Sequence, residues 1–403
     1  MRILHTADWH LGRTLEGRSR QEEQEAFMDE LVTIVRDQQI DVVLMAGDAY
    51  DSVNPPAAAE TLFYDGLARL ADGGRRQVIA IAGNHDNPER LAASAPLALR
   101  QGITLVGLPT PQLQRVDVPR TSEQALLFAL PYPSESRLRE LLTEEADEVS
   151  LRGAYSQRIA QLVARQASEF TSRTVNLIMS HLYVLGGTES ESERPIQVGG
   201  AYTVDTAALC ANAQYVALGH LHRPQQLKAS SLIRYSGSPL AYSFSEAGQA
   251  KSVTILDVKP GDEPQLTEVF LSSGRPLVKW KAVEGIAQVH RWLEEGKDAR
   301  AWIDLELHIV DSMSMEQIQR LRKQHVGIIN IRPIYPQAAA DKGVGEASRR
   351  DQLPIDEMFR SFYTRQTGGA EADPALVSLF LELLQQTTES ESVNSLSEGG
   401  NGL

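Results

Sequence analysis

Five short apolar runs, each stopping abruptly at aspartate, histidine or asparagine, constrain this chain more than any other feature. They are Arg2-Ile3-Leu4-His5-Thr6-Ala7-Asp8, Asp41-Val42-Val43-Leu44-Met45-Ala46-Gly47-Asp48, Gln77-Val78-Ile79-Ala80-Ile81-Ala82-Gly83-Asn84-His85-Asp86, Val175-Asn176-Leu177-Ile178-Met179-Ser180-His181 and Tyr215-Val216-Ala217-Leu218-Gly219-His220-Leu221-His222. Runs this continuous, without strict polar–apolar alternation, read as strands covered on both faces. Helix-period segments lie between several of them. Gln24 to Val35 carries Phe27, Leu31, Ile34 and Val35 at spacings of three and four, and Ala57 to Leu70 follows Asn54-Pro55, a cap and first-turn proline. The alternation predicts a layered α/β fold with helices on the sheet faces.

Beyond the fifth run, Ile233 to Ser243 and Lys251 to Val258 read as strands of a more antiparallel region, and the character changes after Gly274-Arg275-Pro276. From Leu277 to Tyr335 the pattern is strand, helix, strand, helix, strand. In its middle strand Ile303, Leu305, Leu307 and Ile309 alternate with Asp304, Glu306 and His308, so one face is buried. Ile355, Met358, Phe359, Phe362 and Tyr363 then form one helical stripe, and a second helix opens at Pro374 with Leu376, Leu379, Phe380, Leu383 and Leu384. From about Glu389 the residues are mostly Ser, Glu, Gly and Asn, the composition of a disordered tail. The expected division is 1–272, a small α+β domain over 275–340, helices over 350–388 and a tail over 389–403. A length of 403 residues exceeds what one core supports, which agrees with more than one unit.

Charge bounds the function. With 39 basic against 53 acidic residues, net −14, the chain is not built to coat nucleic acid through bulk charge, so any such contact is local or supplied by a partner. No apolar run approaches the roughly 20 residues needed to cross a bilayer, so no membrane role is expected. The single Cys210 cannot form an internal disulfide, which fits a cytoplasmic location. The first residues lack the apolar core of a signal peptide, and a cleavage there would remove Asp8 and His10.

Chemistry concentrates at the strand ends. Five of the nine histidines, with Asp8, Asp48 and Asn84, follow the five apolar runs. In an open α/β sheet the crevice beyond the carboxyl ends of the strands is where ligands bind, so these side chains are expected to converge. Carboxylate, imidazole and amide oxygen without thiolate suit manganese or iron better than a closed zinc site. His5, inside the first run, reads as a packed or orienting histidine. Trp9 reads as packing with base stacking left open, and Asp51 as a turn cap or an outer partner of a metal ligand. His290, His308 and His325 read as non-catalytic.

Asp8-x-His10, Gly47-Asp48-x-x-Asp51, Gly83-Asn84-His85-Asp86, Ser180-His181 and Gly219-His220-x-His222 together resemble, in order and complete, the five signatures of the calcineurin-like metallophosphoesterases. The resemblance implies a metallophosphoesterase β-sandwich flanked by helices and a centre of two divalent ions. Asp8, His10 and His222 would hold one ion, Asn84, His181 and His220 the other, and Asp48 would bridge them. Two such ions can activate a water and stabilise both attacking and leaving oxygens. His85 would touch the phosphate and assist the departing alkoxide, with Asp86 as its orienting partner. Gly47, Gly83 and Gly219 would allow tight turns that bring the ligands close.

Asp8-Trp9-His10-Leu11-Gly12-Arg13, the segment from Gly186-Gly187 through Ser190-Glu191-Ser192-Glu193-Arg194-Pro195 to Val198-Gly199-Gly200, and Gly219-His220-Leu221-His222 are similar to the SbcD nucleases, and Tyr50 departs from the usual phenylalanine. That resemblance extends over nearly all the chain except the tail. It implies a manganese-dependent exonuclease and endonuclease on DNA, acting in repair and recombination with an SbcC-type coiled-coil ATPase, two copies to an assembly. The small domain would cap the DNA site, and Phe359, Phe362 and Phe380 would dock on the partner or fold back on their own domain. Arg13, Arg18, Arg20 and Arg90 are candidate phosphate contacts. Thr188 to Arg194 reads equally as a solvated loop or a substrate element. A phosphatase or cyclic-nucleotide phosphodiesterase of the same fold, and a metal-free scaffold, are the alternatives. The chain lacks a Gly-x-x-x-x-Gly-Lys-Ser/Thr loop, so any ATP dependence comes from elsewhere.

Overall fold

The computed structural model describes residues 1–110, 112–133, 148–194, 202–310, 313–335, 355–366 and 372–381. The first half runs β1 (Arg2–Thr6), β2 (Thr14–Leu15), β3 (Arg18–Ser19), α1 (Gln21–Asp37), β4 (Val42–Met45), α2 (Ala57–Ala71), β5 (Gln77–Ile81), α3 (Pro88–Ala92), α4 (Ala95–Ala98), β6 (Ile103–Val106), β7 (Gln114–Val118) and β8 (Glu123–Leu130). There follow α5 (Glu148–Ala167), β9 (Val175–His181), β10 (Tyr215–Gly219), β11 (Gln225–Leu227), β12 (Leu232–Tyr235), β13 (Ser252–Asp257) and β14 (Gln265–Phe270).

These strands make two six-stranded sheets, ordered β14-β13-β1-β4-β5-β6 and β11-β12-β10-β9-β8-β7. Successive residues of a strand point to opposite faces, and here both faces are covered. Ile3, Val42, Leu44, Ile79 and Ile81 of the first sheet share one core with Leu127, Val175, Leu177, Met179 and Tyr215 of the second. Leu4, Val43, Met45, Val78 and Ala80 pack the other way, with Phe27 and Leu31 of α1 and Phe63 and Leu67 of α2. On the far face of the second sheet, Phe128, Ile178, Val216 and Leu218 meet Tyr155, Ile159 and Val163 of α5. The fold is therefore a helix–sheet–sheet–helix sandwich. Both faces of the central strands take mostly apolar side chains, with His5, Thr6, Asn176 and Ser180 as buried polar exceptions, which is why the runs show no alternation.

Within each sheet the site-bearing strands are parallel: β1, β4 and β5 in the first, β9 and β10 in the second. Their carboxyl ends thus point the same way, and two cross-sheet bonds bring those ends together. His181 Nδ1 donates to the Ala46 carbonyl at 2.9 Å, and the His220 amide donates to Asp8 Oδ1 at 2.9 Å.

The strand expected over Ile233 to Ser243 stops at Tyr235. Gly237 turns the chain with φ +77°, Pro239 has no amide to donate, and the Ser238 amide bonds the His222 carbonyl instead of a sheet neighbour. Toward the C-terminus come β15 (Leu277–Ala282), α6 (Ile286–Glu294), β16 (Trp302–His308), α7 (Met315–Gln324), β17 (Ile328–Ile334) and α8 (Ile355–Gln366), with a last helical stretch over 374–381. Strands β15, β16 and β17 form a three-stranded sheet in that order. Among the described residues no helix is long and apolar enough to cross a membrane.

The chain divides into two compact units, one of Met1–Lys281, His290–Glu306 and Leu321–Arg332, the other of Ala282–Val289, Leu307–Arg320 and Pro333–Leu403. In the second, Phe359 and Phe380 stack with ring centroids 4.2 Å apart, while Phe362 is 57% exposed. Leu383, Leu384, the tail over 389–403 and the 195–200 part of the SbcD-like segment lie outside the described residues.

Arg20 was a candidate DNA contact, and the fold corrects that: it is buried, with Nη2 on Glu23 Oε2 at 2.8 Å and Nη1 on the Ala241 carbonyl at 2.9 Å. Glu23 also accepts from Trp302 Nε1 at 2.8 Å and the Arg275 amide at 2.7 Å. One carboxylate thus satisfies a buried guanidinium, an indole and a backbone amide within the first unit. Glu23→Ala is expected to cost about 3–5 kcal/mol because it strands a buried cation. Chemical denaturation measures this, and a loss below about 1 kcal/mol would refute the role given to Glu23.

Candidate metal centre

Where the strands end, the chain turns sharply and takes up a backbone that side chains rarely adopt. Asp8, His10, Asp48 and His220 all have positive φ, at 55°, 44°, 54° and 111°. Such residues cost of order 1–3 kcal/mol each and persist only where surroundings over-determine them. Here they aim side chains of separate strands inward. The glycines beside them leave room: a Cβ on Gly83 would fall 2.0 Å from Asp48 Oδ1, and one on Gly219 would fall 1.9 Å from the Ala46 carbonyl oxygen. Of the three glycines expected to make tight turns, only Gly47 has positive φ, so at Gly83 and Gly219 close approach is the reason for glycine.

The result is a buried cluster. Asp8, His10, Asp48, His181, His220 and His222 are each at most 3% exposed. Asp8, His10 and His222 form one group whose donor atoms lie within 4.8 Å of one another, and Asp8, Asp48 and His181 form another. His10 Nε2 and His222 Nε2 are 3.0 Å apart, and His181 Nε2 is 2.8 Å from Asn84 Oδ1. Asp48 Oδ2 lies between the two sets, 3.6 Å from His10 Nε2 and 3.4 Å from His181 Nε2. The His220 ring lies beside the second group, its centroid 5.5 Å from that of His181.

Electrostatics follow from this crowding. Burial pushes the Asp8 carboxyl well above the usual range, and the charge of Asp48 adds to it. Burial would raise Asp48 too, but the imidazoles of His181, His85 and His10 hold it well below. Burial would lower His181, yet Asp48 and Asp8 win and push it up to about 9. His10, His220 and His222 are lowered, chiefly by burial.

A family model described as calcineurin-like phosphoesterase matches residues 1–224, and one described as Type 5 capsule protein repressor C-terminal domain matches residues 273–367. The SbcD component of the nuclease SbcCD from Bacillus subtilis (strain 168) is 54% identical over 393 residues, 97% of this chain and 100% of that protein. The chain belongs to the SbcD nuclease family of calcineurin-like phosphoesterases. The same component from Rhodobacter capsulatus is 38% identical over 279 residues, 66% of this chain and 68% of that protein. As a member of the SbcD family the chain is a metal-dependent phosphodiesterase.

The residues present fit divalent cations. His181 Nδ1 donates to a carbonyl, which leaves Nε2 as the atom facing the Asn84 oxygen. Two electron-pair-bearing atoms at that distance need a proton or a cation between them, and the same holds for the facing nitrogens of His10 and His222. Asp8 Oδ2 is buried with no hydrogen-bond partner at all. The donors are nitrogen and oxygen without sulfur.

Around this SbcD-type centre the other predicted residues fall differently. His85 is there: its amide donates to Asp48 Oδ1 at 2.9 Å and its ring packs edge-on to His10 at 4.7 Å. Its Nδ1 bonds the Asp51 carbonyl at 2.7 Å, and its Nε2 lies 4.0 Å from Asp48 Oδ2. Asp86 does not orient His85, contrary to expectation. Its carboxylate instead accepts from the amides of Gly83 at 2.8 Å, Ala49 at 3.1 Å and Tyr50 at 3.0 Å, tying two ligand loops together, and burial pushes its pKa up to about 6. Asp51 takes the second of its two expected places, beside a predicted ligand, with Oδ1 3.7 Å from His10 Nδ1.

Of the arginines, Arg13 donates to the Ser192 carbonyl at 2.9 Å and lies over the Tyr242 ring, Arg90 is paired with Glu60 at 2.8 Å, and Arg18 is exposed. Trp9 is wholly buried against Phe27 and Phe63, which closes the base-stacking reading. His5 is buried with Nδ1 2.8 Å from the Tyr215 hydroxyl, and burial lowers its pKa to about 3.

Sequence reasoning missed Tyr242, Glu246 and Lys251. Tyr242 packs its ring edge-on against His10 and His222 and donates its hydroxyl to the Trp9 carbonyl. Lys251 pairs with Glu246 and donates to the His222 carbonyl at 2.9 Å. No local motif marks these residues, since they follow an irregular stretch after Gly237.

Because His181 is pushed up to about 9 and a ligating imidazole is neutral, cation uptake through His181 would displace its proton. In the metal-free protein the His181–Asp48 pair stabilises the fold fully below the ordinary histidine value, and that stability is lost as pH rises through about 9. Calorimetry of metal binding in buffers of different ionisation heat is expected to record about one proton fewer released above that pH than at neutrality. A release independent of pH would contradict the assignment of His181.

Proposed function

We propose that this chain hydrolyses phosphodiester bonds of DNA with two divalent ions, manganese by the donor chemistry, as exonuclease on double-stranded ends and endonuclease on hairpins or single strands. Asp8, His10 and His222 would hold one ion, Asn84, His181 and His220 the other, with Asp48 shared. The observation that carries this reading is the convergence of six buried residues and the half-buried Asn84, with His10 facing His222, His181 facing Asn84, and Asp48 near both pairs. The full-length similarity to a component of a nuclease favours DNA over a small phosphomonoester.

When bound, the ion pair would supply Lewis-acid polarisation of the phosphodiester and a water of lowered pKa. The protein's own part is orientation and proton handling. Asp8 and Asp48 supply negative charge that balances the cations, and their burial strengthens every such interaction. His85, held through Nδ1 by the Asp51 carbonyl, presents Nε2 to a phosphate oxygen and, when protonated, gives its proton to the departing alkoxide. Arg13 and the exposed Arg18 are proposed as DNA contacts, with Arg90 the lesser candidate because Glu60 already satisfies it.

The same reading assigns an SbcC-type coiled-coil ATPase as partner, two copies of each chain in the working assembly, and repair and recombination in the cytoplasm as the setting. The name SbcCD of the relatives supports the partner. The boundaries proposed are a nuclease domain over 1–272, a capping domain over 275–340 and partner-binding helices over 350–388. The break between the two family matches, at 224 and 273, is consistent with the first of these. Phe362 is the exposed member of the aromatic set offered to the partner.

The test is hydrolysis of linear and hairpin DNA with manganese, with and without the ATPase partner. His85→Ala is expected to lower the rate about 10²–10⁴-fold while metal content stays at two ions. Turnover confined to small phosphomonoesters, or an unchanged rate in His85→Ala, would refute the reading.

A further inference from the structure

One ligand of the cluster has a hydrogen-bond circuit of its own. His222 Nδ1 lies 2.6 Å from Ser192 Oγ, Ser192 Oγ lies 2.7 Å from Ser190 Oγ, and Ser190 Oγ lies 2.6 Å from Glu193 Oε2. The other oxygen of that carboxylate, Oε1, accepts the backbone amide of His222 itself at 2.8 Å. Ser190 contributes its amide as well, to Glu193 Oε2 at 2.7 Å, so the carboxylate is fixed from both sides. Arg13 clamps the segment by donating to the Ser192 carbonyl at 2.9 Å. Ser192 is buried although it belongs to a stretch of polar residues.

The direction of the circuit is forced by its ends. A carboxylate only accepts, so Ser190 must give its proton to Glu193. Ser190 Oγ can then only accept from Ser192, and Ser192 Oγ only from His222 Nδ1. The ring is thereby fixed in the tautomer with hydrogen on Nδ1 and the electron pair on Nε2. That atom is the one facing His10 Nε2 at 3.0 Å, inside the Asp8, His10 and His222 group.

We propose that Ser192, Ser190 and Glu193 are positioning residues that relay a carboxylate's influence through two hydroxyls to His222, and so set the affinity of one ion of the pair. A ligating imidazole commonly donates its second N–H to a carboxylate or carbonyl, which orients the ring and raises its basicity. Glu246 Oε1 already lies 3.9 Å from Nδ1, and Glu193, too remote to reach the ring itself, acts on it through the two serines. None of the three residues is a ligand. The other set, Asn84, His181 and His220, has no part in the circuit: His181 takes its orientation from the Ala46 carbonyl. The relay therefore acts on one ion and leaves the other alone. This inference rests on the two-ion reading above.

Manganese titrated calorimetrically into the full chain tests both, separably. The wild type is expected to take up two ions. Ser190→Ala, Ser192→Ala and Glu193→Gln are each expected to weaken one ion roughly 10–100-fold and leave the second unchanged. Because the groups act in series, the double variant Ser190→Ala/Glu193→Gln is expected to lose no more than either single change. Ser190→Ala discriminates best, since Ser190 touches no ligand. Ser190→Thr, which keeps the hydroxyl, is expected to restore binding. Two ions bound by the wild type with unchanged affinities in the variants would overturn the relay alone. Equal weakening of both ions, or additive losses, would also overturn it, in favour of a merely structural loop. Fewer than two ions in the wild type would overturn the two-ion reading and the relay with it.

Discussion

At the centre of this protein, atoms that carry electron pairs are held facing one another out of water: nitrogen against nitrogen between His10 and His222, nitrogen against oxygen between His181 and Asn84, with the Asp48 carboxylate touching both sets. Left to themselves such groups repel, and burial makes the repulsion costly. The metal-free chain answers with protons, which is the physical meaning of a His181 pushed up to about 9 and an Asp8 carboxyl driven up by burial. Divalent cations answer better, because each can serve several donors at once. The strained backbone at Asp8, His10, Asp48 and His220 is stored in service of that arrangement.

Holding repelling groups together requires a stiff frame, and the sandwich supplies it through ties between ligand loops. Asp86 collects three amides from two of those loops, the His181 ring bonds the Ala46 carbonyl of the opposite sheet, Ser180 bonds the Leu130 carbonyl at 2.8 Å, and the His220 amide reaches Asp8. Apart from the Gly83 amide, which lies three residues from Asp86, each bond crosses between segments far apart in sequence. Each also satisfies a group that would otherwise be buried and unpaired. Structural and functional polar groups are therefore the same network seen from two sides. Glu193 and the two serines extend that network outward to a segment whose sequence reads as solvent-facing.

Much of this was legible in the sequence. Doubly buried strands leave continuous apolar runs, and Leu4 and Ile3, or Val43 and Val42, do go to opposite cores. Polar residues that end such runs had to gather at one edge once the strands were parallel. What escaped reading has physical reasons. Strand β14 is largely exposed at a sheet edge, so its pattern carries little signal, and α5 buries only a stripe that includes Tyr155, Ile159 and Val163 among many polar residues. The strand read through Ser243 was broken by Gly237 and Pro239, whose effect depends on what the freed amides find to bond. Arg20 could be told from a surface arginine only by knowing that Glu23, one helical turn on, is buried with it. Asp86 follows His85 directly, yet its side chain turns to the backbone of another loop, which adjacency cannot reveal.

The central claim is that two cations occupy this cluster in a defined division of ligands. Anomalous diffraction from crystals of the manganese-loaded protein tests it most directly. The account predicts two anomalous peaks, one coordinated by Asp8, His10 and His222, the other by Asn84, His181 and His220, with Asp48 touching both. A single peak, or peaks whose ligands do not include Asp48, would contradict it.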